Sequence, residues 1–99
     1  MGLVSVIQTG RECRVQLNGA LDMNGVEELF DVAADIAGNR SVVIDLQELE
    51  FIDSTGIGGL LQFVRVLQEG GSSLRFVQIR EEIRDIFEVL GVDEIIGGM

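Results

Sequence analysis

The sequence predicts an α/β domain: a single mixed β-sheet of about four to five strands, opened by an antiparallel hairpin, with helices packed on it. Three observations carry this reading. Two short β-branched or alternating runs near the N-terminus, Leu3 to Ile7 and Cys13 to Leu17, flank a glycine-containing turn. The run Val42-Val43-Ile44 is apolar without alternation, as a strand covered on both faces should be. Three further segments repeat their apolar residues at helical spacing. At 99 residues the chain suits one domain, residues 1–99.

Leu3 to Ile7 reads as the first strand. Gln8-Thr9-Gly10-Arg11 turns the chain, and Cys13 to Leu17 returns as a second strand with Cys13, Val15 and Leu17 inward. Cys13 reads as a small core residue. Asn18-Gly19-Ala20-Leu21-Asp22 reads as a turn. Asn24 and Glu27 then have the spacing of a capping box. The helix that follows is expected to bury Val26, Leu29, Phe30, Ala33 and Ile36 or Ala37. Its acids Glu27, Glu28, Asp31 and Asp35 are placed outside, and Gly38 closes it.

Val42 to Asp45 is the third strand, placed centrally, and Glu48 to Ile52 reads as a short acidic connection. A second helix starts at Asp53 or Ser54 and runs to about Gln68, where Gly70-Gly71-Ser72-Ser73 ends it. Leu74 to Ile79 is the fourth strand. Arg80 to Leu90 is a third helix with Ile83, Ile86, Phe87 and Leu90 inward, closed by Gly91. Val92 to Ile96 reads as a short edge strand and Gly97-Gly98-Met99 as a fraying end.

Composition narrows the chemistry. Hydrophobic residues make up 46% of the chain, enough for a core that needs neither metal nor disulfide. Net charge is −10 and there is no lysine. Between Asp22 and Asp53 the acids Asp22, Glu27, Glu28, Asp31, Asp35, Asp45, Glu48, Glu50 and Asp53 face only Arg40 as a counter-charge. Such a field repels nucleic acid and anionic membrane and attracts basic partners. The absence of histidine excludes imidazole triads and histidine metal sites, and one cysteine excludes thiolate zinc sites and internal disulfides. No segment has transmembrane length and no signal peptide is evident at the N-terminus, so the expected location is cytoplasmic.

The stretch Asp53-Ser54-Thr55-Gly56-Ile57-Gly58-Gly59 at the start of the second helix carries the functional question. At 100° per residue, Ile57, Leu60, Leu61, Phe63, Val64 and Leu67 share the core face, while Thr55, Gly58, Gly59, Gln62 and Val66 fall near the opposite side. Glycines early in a helix each cost about 1 kcal/mol relative to alanine. Their presence implies that something approaches this backbone closely. Three readings of Asp53-Ser54-Thr55-Gly56 compete. In the first, Asp53 and Ser54 are helix caps and nothing more. In the second, Ser54 is a phosphoacceptor whose modification adds charge and bulk at a docking face. In the third, Asp53 belongs to a carboxylate dyad of retroviral-protease type. The third fails on two counts: two residues separate Asp53 from Gly56, and such enzymes are almost all β. Asp45 and Asp53 as an acid–base or magnesium pair lack any converging group, and Gly56-x-Gly58-Gly59 has the wrong spacing for a dinucleotide fingerprint.

Taken together these elements resemble the STAS family, and within it the small bacterial anti-sigma factor antagonists. The resemblance rests on Phe51-Ile52-Asp53-Ser54-Thr55-Gly56-Ile57-Gly58, similar to that family's phosphorylation-site signature. It rests also on Asn18-Gly19-Ala20-Leu21-Asp22 before the first helix, and on the Val42-to-Leu46 strand leading to Leu49-x-Phe51. It implies Ser54 as phosphoacceptor, with Thr55 the less favoured hydroxyl. Asp22, Asp53, Thr55, Gly56, Gly58, Gly59, Gln62 and Val66 would form the partner surface. It implies a binder without cofactor, metal or catalytic residue. The unphosphorylated form would bind an anti-sigma factor that is a serine kinase of the GHKL type and so release a sigma factor. Phosphorylation would end the complex, and a serine phosphatase would restore it. Two alternatives keep the fold: a partner-switching regulator of another target (a phosphatase, secretion system or signalling enzyme), and a switchless sensor or transporter-associated subunit.

Overall fold

A computed structural model describes residues 3–36, 38–89 and 91. Among these residues six strands and three helices follow in the order β1 (Val4–Thr9), β2 (Glu12–Leu17), β3 (Gly19–Leu21), α1 (Met23–Ile36), β4 (Ser41–Asp45), β5 (Leu49–Ile52), α2 (Ser54–Glu69), β6 (Ser73–Val77) and α3 (Glu81–Val89). Four strands form one mixed sheet in the order β1-β2-β4-β6. The hairpin β1/β2 is antiparallel, and β2/β4 and β4/β6 are parallel. β4 is therefore an interior strand, as its unalternated apolar run requires.

Register explains the core. Val6, Val15, Ile44 and Phe76 form one rung across the sheet, and Gln8, Cys13, Val42 and Leu74 the next. Cys13, Val15, Val42, Ile44 and Phe76 are buried in one cluster with Leu29 and Ile36 of α1, Leu60, Phe63 and Leu67 of α2, and Phe87 of α3. Burial raises the Cys13 thiol above its usual pKa, which keeps it protonated and unreactive. On the opposite face Arg14, Val43 and Arg75 form a rung, and Asp45 is only 4% exposed. That carboxylate accepts from Arg14 Nη2 (2.8 Å), Gln78 Nε2 (3.0 Å) and the Gln47 amide (2.9 Å), so it is a fully engaged structural group. Gln78 reaches it from a left-handed backbone, φ 56°, which ends β6 at Val77 and shortens the strand expected through Ile79.

Two segments read as connections are strands. Gly19–Leu21 and Leu49–Ile52 form a separate parallel pair, β3/β5, with Leu21 opposite Ile52. Each is too short to show a period, and each finds its partner some thirty residues away, a pairing invisible to local pattern. Gly19, at φ 79°, bends the chain out of β2 into β3. α1 also differs in detail. It starts at Met23 and its cap is Asp22, whose Oδ1 accepts from the amides of Asn24 (3.0 Å) and Gly25 (3.2 Å), so the Asn24–Glu27 box does not form the cap. Its buried stripe is Gly25, Leu29, Ala33 and Ile36. Phe30 is 36% exposed, because it stands about 100° round the helix from Leu29. Glu28 is half-buried, not outside: its carboxylate accepts the Val4 amide (2.6 Å) and ties β1 to α1. The expectations for Ala37, Leu90, Val92 to Ile96 and Gly97 to Met99 lie outside the described residues.

Candidate docking site at the start of α2

The parallel pair β3/β5 sets up the site. Its strands end together at Leu21 and Ile52, and the Asp53 amide donates to the Leu21 carbonyl (3.4 Å). Each strand is followed at once by an aspartate and a helix. Asp22 and Asp53 are thereby held as neighbours, each capping the helix that leaves its own strand. Asp53 has extended backbone (φ −102°, ψ −177°), and its Oδ1 accepts from the Gly56 amide (2.7 Å).

Ser54 is the first residue of α2 and is exposed, as is Thr55. The amides of a helix's first turn have no intrahelical acceptor, and the helix dipole places partial positive charge there. An added phosphate at Ser54 would meet open solvent and the helix dipole, beside the carboxylates of Asp53 and Asp22, with no core residue displaced.

The glycines divide into two kinds. Gly56 is buried, and a Cβ there would collide with the backbone carbonyl of Leu21. A Cβ at Gly59 would collide with the Val26 side chain of α1. At these two positions the close approach implied by the sequence comes from inside the molecule. Gly58 has nothing within 4 Å of its Cβ position and is exposed. Gln62 is exposed on the same side, whereas Val66 is half-buried against the core. The solvent face of α2 therefore runs Ser54, Gly58, Gln62 and Arg65, with Thr55 beside it.

Sequence reasoning missed three side chains here. Arg65 lies eleven residues beyond Ser54, three full turns, so the helical wheel already put it on the open face. Met23, next to Asp22, is 66% exposed, and Phe51, two residues before Asp53, is 53% exposed. A large apolar residue reads as core in a sequence, so only its position on the short pair β3/β5 and at the first turn of α1 reveals it. Among the described residues no group of three or more His, Cys, Asp or Glu could hold a metal ion, and no helix is long and apolar enough to cross a membrane.

Fold and site together define a small α/β domain built around a capped, hydroxyl-bearing helix start. A family model described as Mlab, STAS domain, matches residues 4–97, and the chain belongs to the STAS-domain family. Among curated relatives, the anti-sigma-B factor antagonist of Staphylococcus aureus (strain NCTC 8325 / PS 47) is 26% identical over 83 residues, covering 82% of this chain and 77% of the relative. The protein of that name from Staphylococcus epidermidis matches equally, 26% over 83 residues. Of solved structures, the anti-sigma factor antagonist SpoIIAA in its unphosphorylated form shares the fold over 96% of this chain and 99% of its own, with TM-score 0.68 and 19% identity. Mglu matches over 82% of this chain with TM-score 0.75 and 29% identity, but this chain spans only 21% of Mglu.

Proposed function

We propose that this protein is an anti-sigma factor antagonist of a partner-switching pathway, a binder and kinase substrate rather than an enzyme, acting in the cytoplasm. One observation carries the reading: the Ser54 hydroxyl stands exposed at the first residue of α2, directly after the capping carboxylate of Asp53, while Gly56 and Ile57 behind it are buried. Relatives bearing the name anti-sigma-B factor antagonist support it.

In this reading the unphosphorylated protein presents Ser54, Thr55, Gly58 and Gln62 of α2, with Asp22 and Asp53 beside them and Gly56, Gly59 and Val66 shaping the backbone beneath. The partner is an anti-sigma factor that is also a GHKL-type serine kinase, and its capture frees a sigma factor. Phosphate on Ser54 adds about −1.5 to −2 charges and a bulky group at a face otherwise kept bare by Gly58. Docking ends by steric and electrostatic mismatch, with the core unchanged. A serine phosphatase resets the switch.

The test is phosphopeptide mapping after co-expression with neighbouring kinase-like genes, paired with capture experiments on two variants. Ser54→Ala is expected to hold the kinase constantly and Ser54→Asp to hold it poorly. Equal binding by both would sink the switch. If the protein displaced from the captured partner is not a sigma factor, the fold serves another output.

A further inference from the structure

We propose that the pole of the molecule opposite Ser54 is a binding site for a phosphate group carried on a small organic body, gripped by Arg11 and Arg40. The two poles are well separated. α2 carries the chain about 24 Å from Ser54 to the loop before β6, and β6 begins at Ser73, in register with Ser41 of β4. Beside Ser41 lies a cleft of about 590 Å³ lined by Arg11, Gly38, Asn39, Arg40 and Ser41. Its size falls in the range of small-molecule sites and far exceeds that of a bare ion.

The placement of the arginines is dictated by the sheet. Glu12 and Ser41 are register partners on the neighbouring parallel strands β2 and β4. Arg11 and Arg40 immediately precede them, so two guanidinium-bearing residues start adjacent strands. Like charges held side by side repel unless an anion lies between them. The chain carries 17 acids against 7 arginines, yet among the described residues no carboxylate lines this cleft. Among the described residues neither the Arg11 nor the Arg40 guanidinium has an ion pair or a hydrogen bond. Glu12, the nearest acid in sequence, is directed at Arg75 instead (3.8 Å). Nor are the arginines needed to satisfy the end of α1, since the Ile36 carbonyl already accepts from the Asn39 amide and Asn39 Nδ2, both at 3.0 Å.

Both loops are braced. Gln8 Nε2 donates to the Gly10 and Glu12 carbonyls on either side of Arg11 (3.2 and 3.3 Å). Ser72 Oγ donates to the Asn39 carbonyl, and the Ser73 amide to the Arg40 carbonyl (2.7 Å). A site on braced loops needs little ordering when its ligand arrives. The chemistry selects phosphate over carboxylate. One guanidinium fork saturates both oxygens of a carboxylate, whereas a tetrahedral phosphate offers oxygens to two forks approaching from different strands.

The experiment is an amide NMR titration of the full chain at constant ionic strength with inorganic phosphate, glycerol 3-phosphate, succinate and chloride. Saturable shifts confined to Arg11, Glu12 and 38–41 are expected with both phosphate probes, tighter for glycerol 3-phosphate. Removing either arginine as Arg11→Ala or Arg40→Ala should weaken binding about tenfold, and the double variant should abolish it. Shifts no different from those with chloride, equal binding of succinate, or binding that survives the double variant would overturn the proposal. Shifts centred on 53–58 would do so too.

Discussion

Asp22 and Asp53 occupy the same structural address in duplicate. Each closes a strand of the β3/β5 pair, each caps the helix that follows, and each is followed at the third position by a buried glycine: Asp22-Met23-Asn24-Gly25 and Asp53-Ser54-Thr55-Gly56. The two helix starts part company at what they present. α1 opens on Met23, an exposed thioether, and its cap engages two amides. α2 opens on Ser54, an exposed hydroxyl, and its cap engages one. The glycines differ as well. Beside Gly25 the nearest atoms are the Leu3 and Leu21 side-chain ends, at 2.6 and 3.1 Å from an added Cβ, which can shift, with the Ala20 carbonyl oxygen farther off at 3.3 Å. Beside Gly56 the obstacle is the Leu21 carbonyl, fixed in a strand. One capping device thus builds a yielding helix start at α1 and a rigid one at α2, and the modifiable hydroxyl stands on the rigid one.

The sharpest way to break this contrast is to fill the two glycines. Gly56→Ala should destabilise by about 3 kcal/mol or more, since backbone must move, with urea denaturation as the measurement. Gly25→Ala should cost less, about 1–2 kcal/mol, because leucine tips can swing aside. If the two variants unfold at the same urea concentration, the rigid-versus-yielding distinction is wrong.

Gly59→Ala tests the helix pair itself. The Val26 branch cannot rotate freely within α1, so a loss of about 1–3 kcal/mol is expected, and the added change Val26→Ala should restore part of it. Failure of that rescue in a double-mutant cycle would deny the contact its role. Next come the caps. Asp22→Ala and Asp53→Ala should each cost about 1 kcal/mol, followed by thermal unfolding. Asp53→Asn should retain most of the stability, since an amide oxygen still accepts the Gly56 hydrogen bond. The smallest effect has the opposite sign. Gly58→Ala, in open space within a helix, should stabilise by about 0.5–1 kcal/mol. The same variant should weaken partner binding if that face docks as proposed, a split between stability and affinity that calorimetry with the captured partner would reveal.

Much of this was legible in the residues, and the exceptions have physical causes. The hairpin and all three helices were readable because their periods run over five or more residues, and the interior strand β4 because its apolar run does not alternate. The α2 start was readable because Asp, Ser and Gly act locally, through caps and backbone freedom. β3 and β5 were not, because three- and four-residue strands carry no period and their pairing is non-local. The Asn24–Glu27 capping box was a reasonable local reading, but the pairing of β3 with β5 delivers Asp22 to the helix start one step earlier. Glu28 read as a surface acid and Asp45 as the acidic end of a central strand, yet folding recruits one to the Val4 amide and the other to Arg14 and Gln78.

By itself the sequence determined the three helices, the hairpin and β4, that a serine follows a capping aspartate at a helix start, and that imidazole triads, histidine metal sites and thiolate zinc sites are excluded. These are consequences of composition and of interactions within a few residues. Only the tertiary structure decided that two helix starts lie side by side, which glycines answer to internal neighbours and which lies open, and that Arg11 and Arg40 line one cleft before neighbouring strands. Those outcomes depend on sheet register, and register is set by contacts between residues far apart in the chain.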